Sequence, residues 1–236
     1  MKTHTFIYYS ILVYTLSIGI HTLQSQIILT KTETTDLTFL YEEEKLAYDV
    51  YSYAATKYDL PVFKNILDAE QRHRNKVKNI LEQAGIKNHQ TFEMGTFKNT
   101  ELQALYNKLI KQVDMSLVDA LKVGATIEDL DIFDVQKLKK RTDNKKILAM
   151  YSVLVCGSEN HMRAFTKQLK KHNASYVAQY ISEKEYKKIL RSSNKPCGAM
   201  QKGKEKKHGK GKGMGKSQGH GNGQGRGQGR GRNRSW

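Results

Sequence analysis

An acid and an imidazole three residues apart, Glu70 and His73, interrupt the apolar face of a segment that otherwise reads as one amphipathic helix. The segment opens at Pro61, which suits a first helical turn, and stops before Gly85, a favoured residue just past a helix end. Its stripe of Phe63, Ile66, Val77, Ile80 and Ala84 follows the helical period and carries Glu70 and His73 on the same side. Burying a carboxylate and an imidazole without partners is costly, so such groups are paired or bind a metal. The chain is therefore constrained to a fold in which other helices answer this pair.

Three further segments do so. The first is expected to be capped by Asp36 and has the stripe Leu37, Leu40, Glu44, Ala47, Tyr51, Ala54 and Tyr58. Of the run Glu42-Glu43-Glu44 only Glu44 falls on that stripe; Glu42 and Glu43 are expected to face water, where the helix dipole favours them. A helix from about Ser116 carries Leu117, Ala120, Leu121, Gly124, Glu128, Asp131, Val135 and Leu138 on one face, with Asp129 and Asp134 marking an acidic neighbourhood. A last long helix, about Asp143 to Lys171, bears His161 on its stripe within Ser158-Glu159-Asn160-His161. Between the second and third of these, Ile86 to Asn99 lacks periodicity and Thr100 to Gln112 forms a short helix, together a long crossover between two helix pairs. Tyr41, Tyr48, Tyr51 and Tyr151 fall near the polar positions, where core packing with a hydrogen-bonded hydroxyl is the expected role.

The 236 residues divide by composition. Residues 1–25 have a lysine, an apolar run from Phe6 to Ile20 and a polar end, the layout of a secretory signal peptide; an uncleaved N-terminal membrane anchor is the alternative. Export makes the domain secreted or periplasmic. A linker is expected over 26–35, the helical bundle over 36–173, and a short helix and linker over 174–195, with Ser182 and Glu185 forming a capping box. From Pro196 the sequence is Gly-rich and basic and is expected to be disordered. Eleven Lys and Arg residues and one acid, Glu205, give this tail a net +10 of the chain's formal +17, a charge that suits polyanions or anionic surfaces. The two cysteines, Cys156 and Cys197, are too few for a disulfide scaffold, and both a bridge and two separate thiols fit the sequence.

Four long helices with a carboxylate, an E-x-x-H, a carboxylate and a histidine in that order resemble the ferritin-like di-iron carboxylate proteins. The phrases Glu43-Glu44-Lys45-Leu46-Ala47-Tyr48-Asp49, Ala69-Glu70-Gln71-Arg72-His73, Val123-Gly124-Ala125-Thr126-Ile127-Glu128-Asp129-Leu130-Asp131 and Gly157-Ser158-Glu159-Asn160-His161 are similar to a bacterial ferritin-like family known as domain of unknown function 2202. The resemblance covers about Leu37 to Leu169 and implies an all-α, ferritin-like four-helix bundle. It implies Glu44, Glu70, His73, Glu128 and His161 as metal ligands, with Asp131 and Glu159 as further candidates. One departure stands out. A second E-x-x-H would need Glu at 158, where Ser158 stands, and Glu159 is rotated by about 100°, so a mononuclear or asymmetric site is also consistent with the pattern.

Carboxylates and imidazoles suit iron or manganese, and the lack of a cysteine cluster argues against zinc–thiolate and iron–sulfur centres. The resemblance implies iron oxidation, iron handling or reduction of oxygen or peroxide, the chemistry of a metal-dependent oxidase or peroxidase. The alternative is a non-catalytic helical binding protein attached by its tail to polyanions or the cell surface. An exported, tailed chain favours a monomer or homodimer over a closed storage shell.

Overall fold

The computed structural model describes residues 27–87 and 93–198. The proposed signal segment and the basic tail beyond 198 lie outside the described residues. The described residues are helical, with no strand among them: α1 (Lys31–Tyr58), α2 (Pro61–Gln83), α3 (Thr100–Met115), α4 (Leu117–Leu138), α5 (Lys145–Lys171) and α6 (Glu183–Arg191). No helix among them is long and apolar enough to cross a membrane.

Local chemistry sets the ends. The first helix begins earlier than expected, because Thr30 and Glu33 form a capping box: Thr30 accepts from the Glu33 N–H at 3.1 Å and Glu33 accepts from the Thr30 N–H at 2.9 Å. Residues 31–35 are therefore helix rather than linker, and Asp36 is a buried interior residue whose carboxylate pairs with Arg141 at 3.1 Å. Pro61 starts α2. At its other end Gly85 (φ 75°) closes a Schellman motif in which Ile86 N–H donates to Leu81 O and Gly85 N–H to Glu82 O, both at 2.9 Å. Ser116 caps α4, Asn144 caps α5 and Ser182 caps α6.

The connections fix helix directions. Ile27 N–H donates to Gln83 O at 3.2 Å, so the start of α1 lies beside the end of α2. Tyr58 donates to Val113 O at 2.7 Å, which brings the end of α3, and hence the start of α4, to the far end of α1. Thr142 bonds Glu33 and Arg141 pairs with Asp36, returning the end of α4 to the start of α1. The four long helices thus run up, down, down and up: the crossover makes α2 and α4 parallel, while each sequential pair, α1–α2 and α4–α5, is an antiparallel hairpin.

Glu42 and Glu43 do not face water as expected. Both are buried, at 5% and 2% exposure. The reason for Glu42 is the crossover, whose return segment lies along α1. Glu42 accepts from the Asn99 N–H at 2.9 Å, Asp49 accepts from the Gly95 N–H at 2.9 Å, and Lys45, paired with Asp49, donates to Glu93 O at 2.8 Å. The polar stripe of α1 that resembles a wet surface is a seat for backbone groups. Replacing Glu42 by Ala is accordingly not neutral and should cost about 1 kcal/mol through the lost acceptor.

The apolar core falls into two clusters. One contains Val50, Ala54, Phe63, Leu121, Ile127, Met162 and Phe165. The other contains Leu37, Leu40, Val77, Ile80, Val135, Ile147 and Leu154. On α1, α2 and α5 the buried residues between these two sets include Glu44, Glu70, His73, Ser158 and His161, so a polar layer divides the bundle across its middle.

After α5 the chain is held on its outside. Asp129, fully buried, accepts from Tyr176 Oη at 2.7 Å and from the N–H groups of Gln179, Tyr180 and Ile181 at 2.6, 3.1 and 2.9 Å. Cys156 and Cys197 form a disulfide with a Cα–Cα separation of 5.7 Å, and nearby Asn160 donates to Lys195 O at 3.0 Å while Arg163 donates to Asn194 Oδ1 at 2.9 Å. Changing Asp129 to Ala would strand three backbone donors at once. Its expected cost is about 3 kcal/mol or more, read from urea unfolding, with amide exchange at 179–181 accelerating before the rest. An unchanged unfolding midpoint would mean apolar contacts alone hold this segment.

Candidate metal centre

Glu70 is the hub of the polar layer. Its side chain is fully buried on α2, and its two oxygens serve different histidines: Oε2 lies 3.2 Å from Nδ1 of His73, one turn along the same helix, and Oε1 lies 2.8 Å from Nδ1 of His161 on α5. Glu44 of α1 brings Oε2 to 3.4 Å from the His73 Nδ1, and Glu128 of α4 brings Oε2 to 3.4 Å from the His161 Nδ1. Four helices thereby contribute to two triads, Glu44–Glu70–His73 and Glu70–Glu128–His161, which share Glu70. Within each triad the candidate donor atoms lie within 4.8 Å of one another. The imidazole rings tilt past each other with centroids 5.6 Å apart.

Several oxygens here have no hydrogen-bond donor. Glu44 Oε2, Glu70 Oε1, Glu128 Oε2 and Asp131 Oδ2 are buried without an aligned partner, as is His161 Nδ1, despite its close approach to Glu70. Glu128 is half satisfied: Tyr51 Oη donates to its Oε1 at 2.7 Å, leaving Oε2 turned to the histidine. Tyr51, buried and in ring contact with Phe165, joins packing to a hydrogen bond at the site. Tyr41 stacks beneath Arg74, while the charges bearing on Tyr151 are Asp36, Glu33 and Arg141 at the bundle's end.

The crowding shows in the proton affinities. Burial raises the Glu44 carboxyl to about 7 against the opposing effect of His73. Burial also raises Glu128 and, helped by Glu43 and Glu128, pushes Asp131 well above the carboxylate range. Glu70 goes the other way, since the two histidines overcome its burial and hold it well below that range. For His161, burial is outweighed by Glu128 and Glu70, which lift it to about 10; Glu70 and Glu44 likewise lift His73. These are the marks of a cluster with more anionic sites than the interior can hold without cations.

Of the residues expected from sequence, Glu44, Glu70, His73, Glu128 and His161 come together. Asp131 lies beside them, in neither triad, with Glu43 and Glu128 the charges that bear on it most. Glu159 is half-buried and in neither triad, and Ser158, buried where a second helix glutamate would stand, donates back to Leu154 O at 3.3 Å. Sequence reasoning missed Tyr51 as the partner of Glu128, although its position two helical turns from Glu44 on the same stripe was the available signal. It also missed Gly157. A Cβ there would fall 2.3 Å from Nε2 of His73, so only glycine lets the ring lie against α5.

Gly157→Ala should therefore displace the His73 ring. The expected result is a destabilisation of about 1–3 kcal/mol together with a shift of the His73 imidazole resonances. Gly124→Ala, which would instead strike the Phe165 ring at 2.4 Å, should destabilise while leaving those resonances in place. Equal His73 spectra in parent and Gly157→Ala proteins would refute the steric argument.

Comparison with known proteins places the chain among relatives of undescribed activity. It is 48% identical over 153 residues to the uncharacterized protein MJ0754 of Methanocaldococcus jannaschii, an alignment covering 64% of this chain and 83% of the relative. The crystal structure of the hypothetical protein MJ0754 from Methanococcus jannaschii superposes with a TM-score of 0.70 at 45% identity, covering 72% of this chain and 97% of the other. Residues 33–193 match the family described as uncharacterized protein domain DUF2202, and the chain belongs to that family.

Proposed function

We propose that the bundle is an exported metalloprotein with a two-ion iron or manganese centre, ferritin-like in kind, used for iron oxidation, iron handling or reduction of oxygen or peroxide. The observation that carries this reading is Glu70, fully buried, with one oxygen toward each histidine. A carboxylate so placed would be a donor common to both triads. The unpartnered oxygens of Glu44 and Glu128 supply each side with a second anionic donor, and His73 and His161 supply one nitrogen each. Such a donor set fits iron and manganese, and both cysteines are committed to a disulfide away from it. When bound, iron would supply one-electron redox chemistry. The protein's own part is to hold the donors in a dry layer, with Tyr51 fixing the Glu128 carboxylate and Gly157 making room for His73.

Export is supported by the N-terminal segment and accords with a disulfide. The basic tail, on this reading, attaches the bundle to polyanions, and a homodimer is compatible with it.

Anaerobic titration with Fe(II) or Mn(II), followed by elemental analysis, should give two ions per chain. Glu70→Ala should lose both, whereas His161→Ala should lose chiefly one. A folded protein that retains neither metal would overturn the reading. Because His73 and His161 are held protonated by their acids, binding must expel protons; affinity should rise with pH between 6 and 8, and calorimetry in buffers of different ionisation heat should show proton release.

The tail can be tested separately. A cut after Gly198 keeps Cys197 and its bridge, and should leave metal content unchanged while heparin retention drops and loses most of its salt dependence. Equal retention of both forms would move any polyanion site to the helices.

A further inference from the structure

Glu43 is the one acid of the α1 run whose burial the fold does not explain. Asp131 apart, the other buried acids outside the two triads have partners: Glu42 takes the Asn99 N–H, Asp129 takes four donors, Glu33 takes Thr30 and Thr142, Asp36 pairs with Arg141 and Asp49 with Lys45. Glu43 is 2% exposed, neither of its carboxylate oxygens meets an aligned donor, and its close polar neighbour is another acid, Asp134 of α4. A buried acid set against another acid destabilises a fold, because one of the two must keep its proton unless a cation lies between them, so the retention of this pair calls for a cationic ligand.

Its surroundings indicate which. The charge acting on Glu43 most strongly is Asp134 of α4, followed by Glu44 of the centre, with Lys137 opposing. Asp131, one helical turn before Asp134, has its own unpartnered oxygen, and the charges acting on it are Glu43 first, then Glu128, Glu44 and Glu70. Outward, Asp134 and Lys137 line a surface hollow of about 570 Å³ between α1 and α4, shared with Asp36, Glu101 and Tyr180. Asp134 is partly exposed there, and the Lys137 ammonium sits 3.4 Å from its Oδ1. A line of acids thus runs from solvent to the two triads, its outer member paired to an exposed and displaceable lysine and its inner members, Glu43 and Asp131, with no aligned donor on Glu43 Oε1, Glu43 Oε2 or Asp131 Oδ2.

We propose that Asp134, Glu43 and Asp131 form the path by which divalent cations pass from the α1–α4 hollow to the paired triads, with Glu43 as the intermediate ligand. The inference rests on the reading of the triads as a metal centre. Lys137 holds Asp134 until an arriving cation replaces it. Glu43 then offers two uncommitted oxygens halfway in, and Asp131 passes the ion to Glu128 and Glu44. Carboxylates in this order favour small hard divalent ions and exclude anions.

Stopped-flow loading of the full chain with Co(II), followed by its absorption bands, tests the path. Glu43→Gln and Asp134→Asn should each slow loading at least tenfold while leaving final stoichiometry and final spectrum unchanged; Lys137→Gln should accelerate it. Asp134 is partly exposed, so its variant keeps the test available if Glu43→Gln folds poorly, which circular dichroism would show. Variants that load at the parent rate would overturn the path alone, with the centre intact. Loss of a bound ion at equilibrium in Glu43→Gln would also overturn it, by making Glu43 a ligand of the centre. A parent protein that takes up no Co(II), Fe(II) or Mn(II) would remove the centre and the path together.

Discussion

The contact of one carboxylate with two imidazoles, Glu70 between His73 and His161, is the constraint around which the rest of the bundle is arranged. A charge-bearing layer in the middle of a four-helix core forfeits apolar burial where packing would otherwise be richest. The two apolar clusters on either side must then close the bundle separately, and they do so with large residues against the layer's edges: Phe63, Phe165 and Tyr51 on one side, Leu40, Val77 and Leu154 on the other. Rigidity there keeps water from the acids, and dryness makes their mutual charge effects large.

The crossover is the second determinant. Without it the helices would alternate in direction, and the hairpins could not meet with α1 beside α4 and α2 beside α5. Its cost is an extended stretch of backbone with donors to satisfy, and α1 meets that need with Glu42 and Asp49, while Lys45 serves the Glu93 carbonyl and stacks over Phe97 at 4.4 Å. One helix therefore carries two polar faces: Glu44 looks inward to the histidines, and the Glu42–Lys45–Asp49 face holds the crossover.

That double duty marks the limit of what was legible in the sequence. Periodicity found the four helices and put Glu44, Glu70, His73, Glu128 and His161 on core-facing stripes, because an ionisable residue that breaks an apolar stripe is a local signal. The polar face of α1 misled for the converse reason: a stripe of Glu, Lys and Asp looks the same whether it meets water or buried backbone. Asp129 was hidden likewise, since its four donors come from residues some fifty positions away. Gly157 carried no signal alone, because the ring it makes room for belongs to another helix. The earlier start of α1 was legible in Thr30 and Glu33, whose three-residue spacing is a capping box.

Ser158 gives the arrangement an inherent inequality. The two hairpins are related as approximate halves, each bringing a carboxylate on one helix and a histidine on the other, yet only α2 pairs its histidine with a glutamate one turn away. Each triad still has two carboxylates and one imidazole, so the inequality lies in how they are held: Glu70 and His73 are joined by one turn of a single helix, whereas Glu70 and His161 meet only through the packing of α2 on α5. Any change that loosens α2 from α5 would therefore reach the His161 side of the layer first, and the resemblance between the two halves would be lost there before it was lost around His73.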